Sequence, residues 1–381
     1  MIDTVKIVLE NNMFFVTDIG RFQKDTMNSA RGFFSLVQNP TKSELMSGIY
    51  KPKLTLQKRF NSSGRFEPTL SIELSLPKLL YGNNFEELDD ENFKAVAKLL
   101  QTKLSEMGVK VFWELFIKAP VSSVHYSKNI KLTNGLIAFT VLKELSKANI
   151  TKRLDFNQSD FRNEGHSIKW HANTWELTFY DKIKDLEQAK ISEKRAIEKD
   201  NSLQMNLFSD IQEARKHKPF EVLRMELRIN TRQKLRKVLS DNGYKVEPTF
   251  QNIFKKEIAQ KILLSYLEDI EKGYPKPLYF DPKSSKDFIA QFEIDNTKTK
   301  IKDVFTALGF RKALEENNPR ELRELLKKHP RNSWYDFNSQ MNSYNYPKNS
   351  LDVFKPIRQS IEQFEPLSLV DFEAEMINND K

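Results

Sequence analysis

The residues able to do chemistry lie on segments that alternate apolar and polar side chains. Tyr180 closes the run WELTFY and is followed at once by Asp181 and Lys182. A phenol at a strand end, flanked by an acid and a lysine, is either a core tyrosine or a placed nucleophile. Three acids sit on other alternating runs: Asp3 in DTVKIVL, Glu73 in LSIEL and Glu226 in LRMEL. His125, in VSSVHYSKN, shares a face with Ser123 and Ser127 by the same alternation. Carboxylates and an imidazole converging on one uncovered sheet face suit Mg²⁺ or Mn²⁺, which take oxygen ligands and tolerate nitrogen. The plainer alternative is the solvent face of a half-covered sheet, where acids are ordinary, and spacing alone favours it. Arg224 and Arg228 share the face of Glu226, so simple ion pairing also competes for that carboxylate.

The elements that would carry these residues are strands at 3–9, 32–37, 52–58 and 69–76, strand-rich chain over 110–130, and strands at 172–182 and 220–230. An amphipathic helix is expected over 87–108. Phe93, Val96, Leu99, Leu100 and Leu104 share its face, Asp89 or Asp90 caps it, and Gly108 ends it. The polar stretch 183–217 reads as a charged helical arm between two strands. This pattern defines an α+β fold. An antiparallel-rich sheet with helices on one face occupies residues 1–232, and a mostly α-helical region occupies 233–381.

That second region opens with FKKEIAQKILLSYLEDIEKG, a helix stopped by Gly273, and continues as short helices broken at Gly309, Pro319 and Pro330. Arg320, Arg323, Lys327, Lys328 and Arg331 form a basic run. The next helix, SWYDFNSQMN, begins at a capping Ser333 and presents Trp334, Tyr335, Asn338 and Gln340. Lysine and arginine hold phosphates, and asparagine and glutamine read adenine edges, so a helix-turn-helix-like DNA-binding region is expected. The alternative is a helical lid in which Trp334, Tyr335 and Phe337 are core and the basic run is a solvated face.

Composition narrows the function. Lys and Arg total 61 against 52 acids, a net charge of +9, which favours a polyanionic partner. A hydrophobic fraction of 39% over 381 residues supports a sizeable core. The absence of cysteine excludes disulfides, thiolate metal sites and cysteine nucleophiles. No apolar run reaches the ~18–20 residues of a membrane span. The opening MIDTVKIVLENN has no basic leader, so a cytoplasmic protein without membrane contact is expected. There is no GxxxxGK[ST] loop, no GxGxxG and no HExxH.

In chain order, five blocks resemble the rolling-circle replication initiators of the phage and plasmid gene II/X family, and more distantly the Rep_trans-type plasmid initiators. They are MIDTVKI, PTLSIELSLPKLL, VSSVHYSKN, WHANTWELTFYDK and LRMELRIN, spanning residues 1–230. The resemblance implies a nicking and strand-transfer domain related to the HUH endonucleases. Tyr180 would be the nucleophile that forms a 5′-phosphotyrosine. Lys182, on the same side by alternation, would bind the phosphate or lower the phenol pKa, or would simply be a solvated strand-end lysine. Tyr126 is the second choice of nucleophile. Asp3, Glu73, His125 and Glu226 would hold Mg²⁺ or Mn²⁺. Origin DNA, as duplex and single strand, would be the partner in a bacterial host, with a homodimer and a host helicase left open. His125 stands where the family has aspartate, and no His-hydrophobic-His pair is present, which leaves room for a weakened enzyme. A non-catalytic DNA-binding protein on the same fold and a conjugative relaxase remain the alternatives.

Overall fold

The computed structural model describes residues 1–25, 34–60, 64, 66–132, 135–148, 159–162, 165–191, 221–348 and 352–367. Its strands are β1 (Ile2–Leu9), β2 (Phe14–Val16), β3 (Gln23–Lys24), β4 (Ser35–Gln38), β5 (Lys53–Phe60), β6 (Phe66–Ser75), β7 (Val109–Val111), β8 (Val121–Leu132), β9 (Ser159–Arg162), β10 (Ser167–Ala172), β11 (Trp175–Asp181) and β12 (Glu221–Ile229). Ten of them form one sheet in the order β3-β4-β5-β6-β1-β8-β12-β11-β10-β9, while β2 and β7 pair separately. Every one of these ladders is antiparallel. The α+β class read from the sequence is the class observed.

Alternation sorts the sheet into two unlike faces. On β12, Leu223, Met225, Leu227 and Ile229 are all fully buried, whereas Arg224, Glu226 and Arg228 point the other way. Val5 and Ile7 of β1, Val124 and Tyr126 of β8, and Leu177 and Phe179 of β11 continue the apolar face. Helices cover that face. Arg232–Asp241, Lys256–Gly273 and Phe354–Gln363 all pack on β8. Glu87 ties this packing together. It accepts from Lys128 Nζ at 2.5 Å, from the Asn129 amide at 2.7 Å and from the Leu367 amide at 2.9 Å.

Several boundaries differ from the sequence reading, each for a local reason. The helix expected over 87–108 is a short 3₁₀ turn at Asp90–Asn92 followed by Phe93–Glu106, because Asp89 and Asn92 close a capping box ahead of the helix proper. The stretch 110–130 holds the end of β7, a one-turn helix at Trp113–Phe116 and most of β8. The single strand expected over 172–182 is the end of β10, a tight turn and β11, and β9 precedes them. Lys182 does not extend β11, because Asp181 accepts from the amides of Ile183 and Lys184 and starts a helix, Lys182–Ile191. The rest of the arm expected over 183–217 lies outside the described residues. Further on, the helix Arg331–Ser343 has Pro330 as its N-cap, so Ser333 sits inside its first turn and does not cap it. Among the described residues no helix is long and apolar enough to cross a membrane.

Candidate active site

The polar face of β1, β8, β12 and β11 opens into a cleft of about 520 Å³, lined among others by Asp3, Glu73, His125, Tyr180 and Glu226. Register places most of these side chains. Glu226 lies opposite Ser127 on β8 and Thr178 on β11, His125 opposite Arg228, and Tyr180 opposite Arg224. Asp3 needs a further device. Ile2 pairs with Tyr126 and Thr4 with His125, so Asp3 is the extra residue of a β-bulge. Strict alternation would send it to the core beside Val5. The bulge instead lets its Oδ1 accept from Arg224 Nη2 at 2.9 Å.

Asp3, His125 and Glu226 each offer a ligand atom, and these atoms lie within 4.8 Å of one another. Glu73, expected in the same set, is not part of it. It faces Lys6 across the β1–β6 ladder and pairs with it at 3.4 Å, half-exposed and one strand out from the cluster. Glu226, whose arginine neighbours make it the weakest of the four in the sequence, belongs to the cluster and also pairs with both arginines. Its Oε1 accepts from Arg228 Nε at 2.7 Å and lies 3.5 Å from His125 Nδ1, and its Oε2 lies 3.9 Å from Arg224 Nε. Burial works to raise the Glu226 carboxyl, but Arg228 and His125 outweigh it and hold it well below the usual carboxylate range. Two carboxylate oxygens and an imidazole nitrogen fit a hard divalent cation such as Mg²⁺ or Mn²⁺.

Arg224 reads in the sequence only as a neighbour of Glu226, yet it organises the site. It is 2% exposed. Nη2 donates to Asp3 Oδ1 and to Ser127 Oγ, each at 2.9 Å, and Nη1 donates to the Asn84 carbonyl at 2.7 Å and to Asn129 Oδ1 at 3.3 Å. A planar guanidinium can serve this many acceptors at fixed angles, whereas a lysine cannot. The sequence signal is the spacing of Arg224 and Glu226, two apart on one strand face. Asn84 lies in a loop with no periodic pattern, so sequence reading could not find it.

Tyr180 donates its hydroxyl to Glu226 Oε2 at 3.2 Å. Burial pushes its phenol well above the ordinary tyrosine value, and Arg224 opposes that shift. Tyr126, the second-choice nucleophile, is fully buried on the apolar face and is core. Lys182 is 0% exposed, so it is not a solvated strand-end lysine. Its Nζ donates to Asn84 Oδ1 at 3.0 Å and lies 5.8 Å from the Tyr180 ring centre.

Burial lowers the Lys182 ammonium to about 8, from 10.5. Below pH 8 it is charged in the folded and unfolded chain alike, and its burial costs stability. Between about 8 and 10.5 the folded chain releases a proton that the unfolded chain keeps, and that cost fades. The stability of the native protein relative to Lys182→Met is therefore expected to rise with pH across this window, by up to ~3 kcal/mol. Urea unfolding of both proteins at pH 7 and pH 10 measures it. A difference that stays flat with pH refutes the buried ammonium.

The C-terminal candidates divide. Trp334 is 8% exposed and packs edge-on against Phe310, so it is core, as the alternative reading had it, while Phe337, edge-on to the same ring at 5.0 Å, and Tyr335 are half-buried against that core. Arg323 and Arg331 stack over Tyr335 at 5.3 and 5.7 Å. Arg320 is partly buried, with burial lowering its guanidinium. Lys327, Lys328 and Gln340 are exposed, with Lys327 beside Glu324 at 2.7 Å, and Asn338 is half-buried.

The polar face of the antiparallel sheet thus sets the Tyr180 hydroxyl beside the cluster of Asp3, His125 and Glu226. Residues 1–246 match the phage family described as the N-terminal part of a replication-associated protein, and the chain belongs to that family, the phage initiators of rolling-circle replication. None of the curated proteins and none of the solved structures matches it.

Proposed function

We propose that this replication initiator nicks one DNA strand and transfers it through Tyr180, with Asp3, His125 and Glu226 holding Mg²⁺ or Mn²⁺. The observation that carries the reading is the 3.2 Å hydrogen bond from the Tyr180 hydroxyl to Glu226, itself a member of the three-residue cluster. The Tyr180 oxygen bonds to phosphorus as the bond to the 3′-oxygen breaks. The products are a 5′-phosphotyrosine and a free 3′-hydroxyl that can prime synthesis, and the retained bond energy allows later rejoining. A bound divalent cation would polarise the scissile phosphate and offset its growing charge. Arg224 holds Asp3 and favours the phenolate against the cost of burial. Lys182 sets a positive charge beside the ring.

The test is a covalent-adduct assay with labelled single-stranded origin DNA and Mg²⁺ or Mn²⁺, followed by peptide mapping. The adduct is expected on Tyr180. Nicking with the adduct elsewhere overturns the assignment. The substitution of His125 for the family's aspartate favours one second reading, a DNA-binding protein that no longer cleaves. Specific binding without nicking in either metal would establish that reading.

Origin recognition is assigned to Arg320, Arg323, Lys327, Lys328, Arg331, Asn338 and Gln340, with Trp334 withdrawn because it is core. Deleting residues 305–381 would also remove the helix Phe354–Gln363 that covers β8, so substitutions make the cleaner test. Lys327→Ala, Lys328→Ala and Arg331→Ala together are expected to lower the salt dependence of duplex binding by about 2–3 in log–log slope. Cleavage of a single-stranded oligonucleotide should be unchanged. An unaltered slope would assign recognition elsewhere.

A further inference from the structure

We infer that residues 364–367 complete the metal site through a buried chain of hydrogen bonds. They hold Glu87, Glu87 holds Asn129, and Asn129 together with the Asn84 carbonyl aims Arg224 at Asp3. Glu87 and Asn129 are thereby positioning residues. The inference rests on the proposed cation at Asp3, His125 and Glu226, and it adds to that reading the residues that keep the site in shape.

β8 is longer than its neighbour β1. β1 ends at Ile2, opposite Tyr126, where the Ser127 amide still reaches the Met1 carbonyl at 2.8 Å. β8 continues along β12 as far as Leu132. The next amide on the edge towards β1 belongs to Asn129, and it donates to Glu87 Oε1 at 2.7 Å. A carboxylate thus takes the place of the strand carbonyl that β1 does not supply. Glu87 is presented by a loop that Asn83 shapes, its Oδ1 accepting from the amides of Phe85 and Glu86, each at 2.9 Å.

The other oxygen of Glu87 meets the C-terminal segment. Oε2 accepts from Lys128 Nζ at 2.5 Å and from the Leu367 amide at 2.9 Å, across 280 positions of sequence. Lys128 Nζ also donates to the Glu365 carbonyl at 2.7 Å and lies 5.8 Å from the Phe364 ring centre. Phe364 has a φ of 51°, in the left-handed region that a side chain rarely adopts, and its buried ring holds the turn in place. That turn leads the chain off the helix Phe354–Gln363 and onto Lys128. These residues lie beyond the 1–246 that match the phage family.

Asn129 stands opposite Arg224 in the β8–β12 register. Its Oδ1 accepts from Arg224 Nη1 at 3.3 Å, and its Nδ2 donates to the Phe85 carbonyl at 2.7 Å. The Asn84 carbonyl accepts from the same Nη1 at 2.7 Å. The loop 84–87 therefore grips one end of the guanidinium, while the other end, Nη2, holds Asp3. A guanidinium is a rigid plane, so moving the Nη1 end turns the Nη2 end with it. Glu87 is a buried charge served by three donors, and losing one obliges the carboxylate to shift. Partners behind a metal ligand typically govern affinity by about 10–100-fold.

Mn²⁺ titration of the full chain tests this without DNA or cleavage. Leu367→Pro deletes the amide that serves Glu87, whereas Leu367→Ala keeps the amide and trims the side chain. Leu367→Pro is expected to weaken Mn²⁺ binding about tenfold, and Leu367→Ala to stay close to the native value. Asn129→Ala keeps the amide to Glu87 and loses the link to Arg224, so it should weaken binding by a similar factor. It decides the matter if Leu367→Pro does not fold, which urea unfolding checks. Neither loss should recur when the change is added to Arg224→Lys, which already lacks the fork, whereas a general loosening of the fold would add in full. If both variants bind Mn²⁺ as the native protein does, or repeat their full losses in the Arg224→Lys chain, the inference fails. A native chain that binds no Mn²⁺ removes the metal site and this role with it. A native chain that binds Mn²⁺ but forms no adduct on Tyr180 overturns only the nicking assignment.

Discussion

Tyr180→Phe is expected to abolish both nicking and the covalent DNA adduct, a loss of ~10⁴-fold or more, while single-strand binding persists. The ring keeps its place on β11, because its partners Arg224 on β12 and Ser167 on β10 are paired through the backbone. The substitution removes one hydrogen bond, to Glu226 Oε2. That deletion costs on the order of 1–3 kcal/mol of stability, because the acceptor is charged. The expected pattern is therefore a folded protein, slightly less stable, that binds metal and DNA but transfers nothing. A Phe variant that nicks at the native rate removes Tyr180 from the mechanism. Tyr126 is not a replacement, since its hydroxyl lies within the core.

The second large effect concerns Arg224→Met. Methionine is unbranched and flexible enough to fill much of the space, and it deletes a guanidinium that serves Asp3, Ser127, Asn84 and Asn129 together. The Asp3 carboxylate and the Asn84 carbonyl then lose a buried donor. Removing one member of a buried ion pair costs ~3–5 kcal/mol, a large share of the ~5–15 kcal/mol that typically separates folded from unfolded protein. Arg224→Lys retains the charge without the fork and should lose less stability. Both variants should bind Mn²⁺ more weakly, since Asp3 is no longer aimed. Denaturant unfolding gives the stability, and Mn²⁺ titration gives the aim. An Arg224→Met variant as stable as the native protein would mean that the site does not depend on this hub.

How much of this was legible in the sequence depends on the kind of signal. Alternation by twos is a strong signal, and it puts His125, Glu226 and Tyr180 on the polar face, where they stand. It also nominates Glu73, because alternation identifies a face and says nothing about which strand lies next to which. Glu73 is on the right face and beside Lys6, one ladder away from the cluster. Asp3 joins the cluster through a bulge that alternation cannot anticipate. Lys182 reads as the end of a strand because the Asp181 cap that starts a helix there depends on backbone geometry. Asn84 gives no signal, since an asparagine in a loop acquires meaning only from what surrounds it. In the C-terminal helices, the basic run is visible as composition, whereas the burial of Trp334 against Phe310 depends on how helices pack.

The sheet order has a consequence for the newly made chain. Asp3 and Arg224, which touch in the finished site, are separated by 221 positions. At ribosomal rates of ~5–20 residues per second, β12 leaves the ribosome on the order of tens of seconds after β1. During that interval β1 and β8 can already pair, but Asp3 has no guanidinium to hold it, Glu226 does not yet exist, and Tyr180 has no acceptor. With the proposed chemistry, an unfinished chain could not cut the DNA that encodes it, and cleavage would begin only once the last central strand is seated between β8 and β11.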